Sequence, residues 1–575
     1  MVINTETHSS KNPFISEIVR RLKEHADIEA EVVKPLIDIP PNPDMGDYTL
    51  PCFALKEKFQ KNPALIAKEL ASIPLAGGQI TRVEAHGPYL NFSVDKNILT
   101  RWVLTTVFNE KDSYGRRTLG SGKTVIIDYS SPNIAKHLGV HHLRSAVIGN
   151  ALYILHKALG YRVIGINHLG DWGTQFGQLI TAFRHWGSED ALQHDPIGVL
   201  NSLYVKFHDE AEKDPSLEKE ARAAFKKLEE GDPETRRLWG HFRELSLKEF
   251  NKVYDALGIK FDCYTGESFY NEMLGGTVES LKTAGLATIS EEALIVDLEK
   301  YGMPPCLLKK RDEASLYATR DICAAEYRHK TYGFTRMLYV VGSEQKLHFR
   351  QVFKVLELMG DDWVKNCAHV DFGLIKFKHG RMSTRKGQII LLEEVLNEAV
   401  TRAREIIEGK NPGLGNKDRV ATQVGVGAVI FTDLSTRRTK DVIFDWDAVL
   451  NFEGETGPYV QYTHARLCSV MRKYGKPVTT AVDYELLKEE DEYLLVRKLE
   501  QFPKAIEGAA RSCEPVIMCN YLLELCGIFN RYYNHHRIIS QDEALTRARI
   551  LLSDSARQVL RNGLTLLGIQ TPEEM

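Results

Sequence analysis

Apolar residues in the central part of the chain change from one spacing to another, and this change predicts strands and helices in alternation. Residues 125–127 form a short β-branched apolar run, which predicts a buried strand. After this run, apolar residues recur every three or four positions along one helical face: Leu143, Val147, Ala151, Ile154 and Ala158. A second β-branched run follows at residues 163–166. We therefore expect a strand–loop–helix–strand unit in a parallel sheet.

Outside this unit the pattern predicts three further regions. Residues 1–112 combine an amphipathic helix with short segments that prolines and glycines interrupt, which indicates an N-terminal α+β domain. Residues from about 185 to 300 are more polar and helical, and we expect them to be an insertion into the sheet domain. The carboxyl third has helical spacing at residues 495–509, 518–532 and 545–567, which predicts a C-terminal all-α helical bundle.

The composition excludes several classes of protein. With 575 residues, 43% apolar and 26% charged, the chain resembles a soluble globular protein of three or more domains. No apolar run approaches the ~20 residues that span a bilayer, and the first residues lack a secretion signal, so a cytoplasmic protein without membrane contact is expected. Nine cysteines never adopt a zinc-ligand spacing, so we expect reduced thiols and no zinc. With a net charge of −3, nucleic-acid binding would need local basic patches.

The loop between the first strand and its helix concentrates polar residues. Residues 128–145 read DYSSPNIAKHLGVHHLRS. The carboxyl end of a parallel strand and the amino end of a helix meet there, and free backbone N–H groups at such a place bind phosphate. Residues 120–124 resemble the end of a P-loop, but Arg117 stands where that motif needs glycine, and the stretch precedes a strand. We therefore place a nucleotide at residues 128–145.

Several motifs occur together and in a fixed order. They are the loop at 128–145, GDWGTQ at 170–175, YATRD at 317–321, GSEQKLHF at 342–349, RMSTRKG at 381–387, GPYVQYTHAR at 457–466 and LGIQTPEEM at 567–575. Together they resemble the arginyl-tRNA synthetases of bacterial type, a class I aminoacyl-tRNA synthetase family, over nearly the whole chain. The resemblance implies an α/β fold with a class I Rossmann-like doubly wound catalytic domain. The expected domains are residues 1–112, 113–395, a connecting helical region at 396–454, and the bundle at 455–575.

The resemblance implies an arginine–tRNA ligase that uses ATP and Mg²⁺ to form arginyl-adenylate and transfers arginine to the 3′ end of tRNA(Arg). Family members activate arginine efficiently only with tRNA bound. Because the carboxylate of arginine is already ionised, catalysis needs positioning and donors to phosphate rather than a general base. The catalytic residues that match the family are Lys136, His142, Arg381 and Ser383, and the matching ATP-binding residues are Gly139, His141, His142, His348 and Met382.

Both phosphate-binding loops depart from the family pattern. The family signature His-Ile-Gly-His is matched by residues 139–142, GVHH, so only its last histidine is kept and His141 replaces the glycine. A competing register at residues 137–140 keeps the first and third positions, but the residues that follow favour the former register. In the second loop Thr384 replaces the second lysine of Lys-Met-Ser-Lys-Ser, and Lys136 is expected to supply the missing charge. Without the first loop, the second would be interpreted as a solvated basic turn.

Specificity for arginine has a physical basis, because a guanidinium is a planar fork of donors that carboxylates pair with best. The residues that match the family's arginine-binding side chains are Asp128, Asn133, Tyr317, Asp321 and Gln345. Lysine would leave part of such a site unpaired, at about 1–3 kcal/mol for each buried acceptor. Asp321 has an alternative interpretation as the N-cap of a helix that begins at Ile322.

The resemblance also assigns the bundle to the anticodon and the N-terminal domain to the tRNA elbow, in a protein expected to be a monomer. Aromatic residues such as Tyr532 are candidates for base stacking, whereas Tyr521 and Phe529 are interpreted as core residues. Two rival functions stay open. One is a class I synthetase of another specificity, such as cysteinyl, and the other is an inactive RNA-binding relative, which the altered first loop suggests.

Overall fold

The structure is a computed structural model that describes residues 12–40, 42–290, 293–309, 317–378 and 390–575. The strands are β1 (Tyr48–Pro51), β2 (Ile80–His86), β3 (Tyr89–Val94), β4 (Thr124–Asp128), β5 (Arg162–Ile166), β6 (Ala287–Ser290), β7 (Ala293–Val296), β8 (Cys306–Lys309), β9 (Arg336–Tyr339), β10 (Cys367–His369), β11 (Ile375–Phe377) and β12 (Val442–Phe444). The helices are α1 (Pro13–Ala26), α2 (Ala30–Val33), α3 (Lys56–Phe59), α4 (Pro63–Ser72), α5 (Lys96–Glu110), α6 (His142–Ala158), α7 (Thr174–Trp186), α8 (Glu189–His194), α9 (Pro196–Ala211), α10 (Ser216–Glu230), α11 (Pro233–Leu257), α12 (Leu274–Thr283), α13 (Tyr317–Tyr332), α14 (Lys346–Leu358), α15 (Leu392–Lys410), α16 (Lys417–Leu434), α17 (Trp446–Val449), α18 (Gly457–Tyr474), α19 (Glu490–Glu500), α20 (Phe502–Ser512), α21 (Val516–His535) and α22 (Glu543–Leu566).

The central sheet is parallel and has the order β10-β9-β4-β5. All five residues of β4 are buried, as expected for a strand that is covered on both faces. Because α6 leads from β4 to β5, the predicted strand–loop–helix–strand unit and the α/β fold are confirmed. The chain moves from β4 to β5 on one side and later to β9 on the other, so the strand order reverses between β4 and β9. Ligands of such sheets bind at this reversal, where Asp128 and Tyr339 are partners in register.

The segment between β5 and β9 contains α7–α13 and an antiparallel sheet of order β6-β7-β8. The predicted insertion is therefore mostly helical, but β6 and β7 also lie within it. The sequence did not indicate these strands because each has only four residues, and three of the four in β6 are exposed. Such short, exposed strands carry little of the apolar alternation that marks a half-buried strand.

The chain divides into two compact units. One comprises the chain up to Arg117, Leu467–Lys504 and Glu524–Asn562, and the other comprises Thr118–Arg466, Ala505–Leu523 and Gly563–Met575. In the first unit, β1, β3 and β2 form an antiparallel sheet. The amphipathic helix predicted there is confirmed as α1, which buries Phe14, Ile18, Val19 and Leu22. The domain boundaries expected from the sequence stay predictions.

One helix predicted from the apolar spacing is divided in the structure. The rhythm over residues 495–509 predicts a single helix, but α19 and α20 are separated at Gln501. Pro503 explains the break, because proline disrupts a helix interior but fits the first turn of α20. The other two predicted helices are confirmed as α21 and α22. Tyr521 and Phe529 are buried as predicted, and Tyr532 is fully buried too, so its candidacy for base stacking is wrong.

All nine cysteines lie within the described ranges and all are free thiols, as predicted; seven of them are buried. Burial also raises the pKa of several of these thiols, for example that of Cys306 to about 12, which disfavours the reactive thiolate. Across the described residues, no helix combines the length and apolar character that crossing a bilayer requires.

A buried ion pair joins α6 to α16. Arg144 Nε lies 3.0 Å from Asp433 Oδ1, and the two side chains are only 1% and 2% exposed. Burial raises the pKa of Asp433 above its usual range although the Arg144 charge opposes this shift. The carboxylate of Asp433 therefore depends on Arg144 for its compensation.

We predict that Arg144→Met lowers the free energy of unfolding by about 3–5 kcal/mol, because it leaves Asp433 buried without a partner. The double variant Arg144→Met/Asp433→Leu is expected to recover most of this loss, since no uncompensated charge remains. Urea unfolding followed by circular dichroism measures both changes. An equal loss in the single and the double variant would contradict the prediction.

Candidate active site

The loop that follows β4 has a strained backbone. Ser130, Ser131 and Ala135 have positive φ angles of 71°, 50° and 61°, a region that is unfavourable for residues other than glycine. The Ser145 hydroxyl of α6 accepts the Ser130 N–H at 2.8 Å and donates to the Val340 carbonyl at 2.6 Å. The loop is therefore held between the first turn of α6 and the end of β9, and these contacts maintain the strain.

Asn133 packs against the motif that follows β5. The Gly170 backbone exchanges hydrogen bonds of 3.0 and 3.2 Å with the residues on either side of Asn133. A Cβ at Gly170 would lie 1.8 Å from Asn133 Oδ1, so any larger residue there would displace the Asn133 side chain. The next residue, Asp171, is fully buried and accepts hydrogen bonds from Arg243 and Ser268. This motif therefore positions Asn133 and anchors the insertion.

His142 is the first residue of α6, and its ring is partly buried. The Gly139 N–H lies 3.1 Å from Nδ1. The Gly139 carbonyl lies 3.2 Å from the same nitrogen, so Nδ1 accepts from the amide in one tautomer and donates to the carbonyl in the other. Burial, and then the charge of His141, lower the pKa of His142 to about 4. His142 is therefore a neutral imidazole at physiological pH, and the exposed His141 ring packs against it at 4.0 Å between centroids.

The predicted phosphate-binding cations are only partly described. Lys136 is exposed, and its Nζ lies 5.6 Å from the centroid of the Tyr204 ring on α9. Arg381, Met382 and Ser383 lie outside the described residues. The contacts predicted for all four with ATP stay predictions.

The chain beyond the second loop is paired with the first loop. The described chain resumes at Ile390, whose carbonyl accepts the Val140 N–H at 2.9 Å. The Leu392 N–H donates in turn to the Leu138 carbonyl at 2.8 Å. This backbone pairing brings the flank of the second loop to the residues that match the first signature, although the two segments are far apart in the sequence.

Two predicted arginine-binding residues lie on α13. Tyr317 begins this helix and is 66% exposed, and Asp321 follows one turn later, so its alternative interpretation as an N-cap is wrong. Asp321 Oδ2 lies 2.5 Å from Nε2 of His348 on α14. Burial raises the pKa of Asp321, but the hydrogen bond and charge of His348, together with the charges of His168 and Arg328, outweigh burial and hold this pKa below its usual value. Gln345 is exposed immediately before α14.

Asp128, at the end of β4, already has two partners. Its Oδ2 lies 2.9 Å from Arg328 Nη1, and its Oδ1 accepts a hydrogen bond from the Ser131 hydroxyl at 2.8 Å. Burial raises the pKa of Asp321, and the charge of Arg328 is among those that lower it. The two carboxylates predicted to bind arginine are therefore linked electrostatically through one guanidinium.

Three residues near this site were missed by the sequence reasoning: Arg328, His168 and Glu267. Arg328 is seven residues after Asp321, two turns along the same helical face, and this spacing is visible in the sequence. His168 precedes the GDWG motif, and its charge also lowers the pKa of Asp321 against the effect of burial. Burial is the main cause that raises the pKa of Glu267 to about 7, and Asp321 adds to it. No local pattern indicates Glu267, because distant segments form its surroundings.

Comparison with known proteins defines the class. A family model for the catalytic domain of class I tRNA synthetases (R) matches residues 103–446. Models for the arginyl tRNA synthetase N terminal domain and the DALR anticodon binding domain match residues 13–94 and 460–575. The parallel sheet, the loop at its strand reversal and these matches together define a class I tRNA synthetase.

Individual relatives give the specificity. The arginine–tRNA ligase of Clostridium perfringens is 50% identical over 97% of this chain and 99% of its own length. That of Clostridium botulinum is 49% identical over 98% of this chain and 100% of its own length. The solved arginyl-tRNA synthetase of Thermus thermophilus is 26% identical, with a TM-score of 0.81 over 98% of this chain and 99% of that chain. The chain therefore belongs to the arginine–tRNA ligase family.

His142 provides a direct test of the first loop. We predict that His142→Ala lowers kcat/KM for pyrophosphate exchange at least about tenfold, because loss of one donor to a developing charge costs about 2–4 kcal/mol. His141→Gly is expected to preserve or raise the rate. Because the pKa of His142 is about 4, its contribution should not titrate between about pH 6 and pH 8. A His142→Ala variant with wild-type rates would show that residues 139–142 are not the signature.

The pairing of the two loops can be tested at Leu392, the first residue of α15, where proline is compatible with the helix. Leu392→Pro removes the N–H that donates to the Leu138 carbonyl. We predict an exchange rate at least about fivefold below that of Leu392→Ala, since one hydrogen bond contributes about 1 kcal/mol. Leu392→Ala is the matched control, because it removes the buried side chain but keeps the N–H. Equal exchange rates in the two variants, at similar thermal stability, would show that this hydrogen bond between the loops does not contribute to the reaction.

Proposed function

We propose that this protein is an arginine–tRNA ligase that forms arginyl-adenylate from L-arginine and ATP and then transfers arginine to tRNA(Arg). The observation that supports this most directly is the backbone pairing between residues 138–140 and 390–392, which joins the flanks of both predicted phosphate-binding loops. Membership of the arginine–tRNA ligase family supports the same reaction.

In the first step, a carboxylate oxygen of arginine attacks the α-phosphorus of ATP and pyrophosphate leaves. Both reactants are anionic, so the protein must stabilise charge on the phosphate oxygens. His142 donates a neutral N–H to them, while Lys136, Arg381 and Ser383 supply two cations and a hydroxyl. Gly139, His141, His348 and Met382 complete the ATP site.

Magnesium enters this reaction with the nucleotide. Mg²⁺ prefers phosphate oxygens and water, and triphosphates bind it without a dedicated protein cage. Within the described ranges, no group of three or more His, Cys, Asp or Glu side chains could hold a metal ion. We therefore infer that the substrate is the magnesium complex of ATP, with its metal held mainly by the phosphates.

The side chain of arginine is bound between carboxylates. Asp321 and Asp128 accept the guanidinium N–H groups, and Tyr317 covers the bound side chain. Asn133 and Gln345 hold the amino-acid end of the substrate. An ammonium group lacks the planar fork of donors, so lysine leaves acceptors of this site unpaired.

In the second step, a ribose hydroxyl at the 3′ end of tRNA(Arg) attacks the carbonyl carbon of the adenylate, and AMP leaves. Residues 460–575, which match an anticodon binding domain, contact the anticodon, and residues 13–94 contact the tRNA elbow. Bound tRNA is required for efficient activation of arginine. The protein acts as a monomer in the cytoplasm.

A pyrophosphate-exchange assay with purified protein tests this function. We expect exchange with arginine only when tRNA(Arg) is present, and a rate with lysine at least about a hundredfold lower. Asp321→Asn should abolish exchange, whereas Asp362→Asn, an exposed aspartate in the same unit, should leave it unchanged. Exchange with cysteine instead of arginine would support another specificity. Tight tRNA binding without any exchange would identify an inactive RNA-binding relative.

A further inference from the structure

We propose that Arg328 is a positioning residue of the arginine pocket, which holds Asp128 in place through a buried ion pair and adds a positive charge to the pocket. This role rests on the ligase function proposed above. Arg328 lies outside the motifs that carry the family resemblance, and it binds no substrate atom itself; it acts through Asp128 and Asp321.

The contacts of Arg328 fix the orientation of Asp128. Arg328 is 1% exposed, and its Nη1 lies 2.9 Å from Asp128 Oδ2. The other oxygen of Asp128 accepts a hydrogen bond from the Ser131 hydroxyl at 2.8 Å. Each carboxylate oxygen thus has one protein partner and keeps a second lone pair for a ligand. The plane of the carboxylate is set before arginine arrives, which reduces the ordering that binding requires.

The ion pair of Arg328 and Asp128 lies where ligands of this fold bind. Asp128 on β4 and Tyr339 on β9 are partners in register at the point where the strand order reverses. The Arg328 guanidinium packs over the Tyr339 ring, with Cζ 5.7 Å from the ring centroid. Asp321 precedes Arg328 on the same face of α13. One helix therefore carries both a predicted substrate-binding carboxylate and a buried guanidinium toward the same crevice.

The charges of these groups explain why a guanidinium is needed. Two buried carboxylates that face one ligand repel each other, and such repulsion raises the pKa of one of them. A protonated carboxyl cannot form the charge-assisted pair that a guanidinium prefers.

Unsatisfied polar atoms mark the same place. Within the described part of the chain, Arg328 Nε and the Tyr339 hydroxyl are buried and have no hydrogen-bond partner. Buried polar groups in proteins are nearly always paired, and exceptions concentrate at functional sites.

The chain offers a matched control in the buried pair of Arg144 and Asp433. Its arginine is likewise 1% exposed and belongs to the same unit as Arg328. Arg144 joins two helices and contacts none of the predicted arginine-binding residues. Substitution of either arginine removes a buried ion pair, so a loss of stability alone cannot distinguish the two. Their effects on the arginine pocket should differ.

The test compares Arg328→Gln and Arg328→Lys with Arg144→Lys in tRNA(Arg)-dependent pyrophosphate exchange. We expect Arg328→Gln to raise KM for arginine at least about tenfold while KM for ATP changes less than about threefold, because only the amino-acid pocket loses its charge balance. Arg328→Lys should bring KM for arginine part of the way back to the wild-type value, since lysine keeps the positive charge but lacks the planar fork of N–H donors. KM for arginine in Arg328→Gln should fall as the pH rises, because Asp321 loses one of the charges that lower its pKa. Arg144→Lys should lower the thermal midpoint and leave KM for arginine unchanged.

The outcomes separate this role from the ligase function itself. If the wild-type protein shows no arginine-dependent exchange, the proposed function fails. If wild type is active but KM for arginine moves no more than KM for ATP in the Arg328 variants, Arg328 is only structural and the inference is overturned. Should Arg328→Gln fail to fold, the KM values and pH profile of Arg328→Lys decide by the same criterion.

Discussion

Strand β4 is hydrogen-bonded to β5 on one side and to β9 on the other, and all of its residues are buried. Parallel pairing aligns the carboxyl ends of these strands, so the chain leaves each of them at one edge of the sheet. Asp128 marks this edge, and the strained loop with Asn133 and His142 begins there. A shift of one residue in the β4 register would turn Asp128 away from Arg328 and move the whole loop.

Three residues in the first turn of α6 make contacts that matter for the site or for the stability of the fold. His142 contacts the Gly139 backbone of the first loop, Arg144 forms the buried pair with Asp433, and Ser145 holds the strained loop against β9. These three residues are nearly consecutive, so the helix cannot rotate without disturbing all three contacts. The His142 ring is held in place in this way, as the donor role proposed above requires, because preorganised donors stabilise charge without reorganisation during the reaction.

Recognition of arginine depends on balanced charge as much as on shape. Asp321 is held ionised against its burial by His348, with help from His168 and Arg328. Asp128 is held in position by its ion pair with Arg328 and its hydrogen bond from Ser131. A pocket with both carboxylates and no internal cation would favour protonation of one of them, which would weaken the pairing that distinguishes a guanidinium from an ammonium group.

Much of this protein could be predicted from short stretches of its sequence. The apolar spacing determined β4, α6, β5 and the long carboxyl-terminal helices, because burial of one face imposes a period on neighbouring residues. The ordered motifs indicated the family. Pro503 indicates the break between α19 and α20, but the regular apolar spacing across it predicted one continuous helix. The sequence also placed Asp128 and Asp321 among the arginine-binding candidates, on their match to the family.

Tertiary structure alone decided how these residues are paired. Arg328 reaches Asp128, Ile390 reaches Val140, and Glu267 acquires its raised pKa near Asp321, in each case from a distant part of the chain. Hydrogen-bond partners, burial and pKa values depend on which segments meet after folding. A local pattern records the period of an element and the chemistry of its side chains, but it contains no information on the groups that surround them in space.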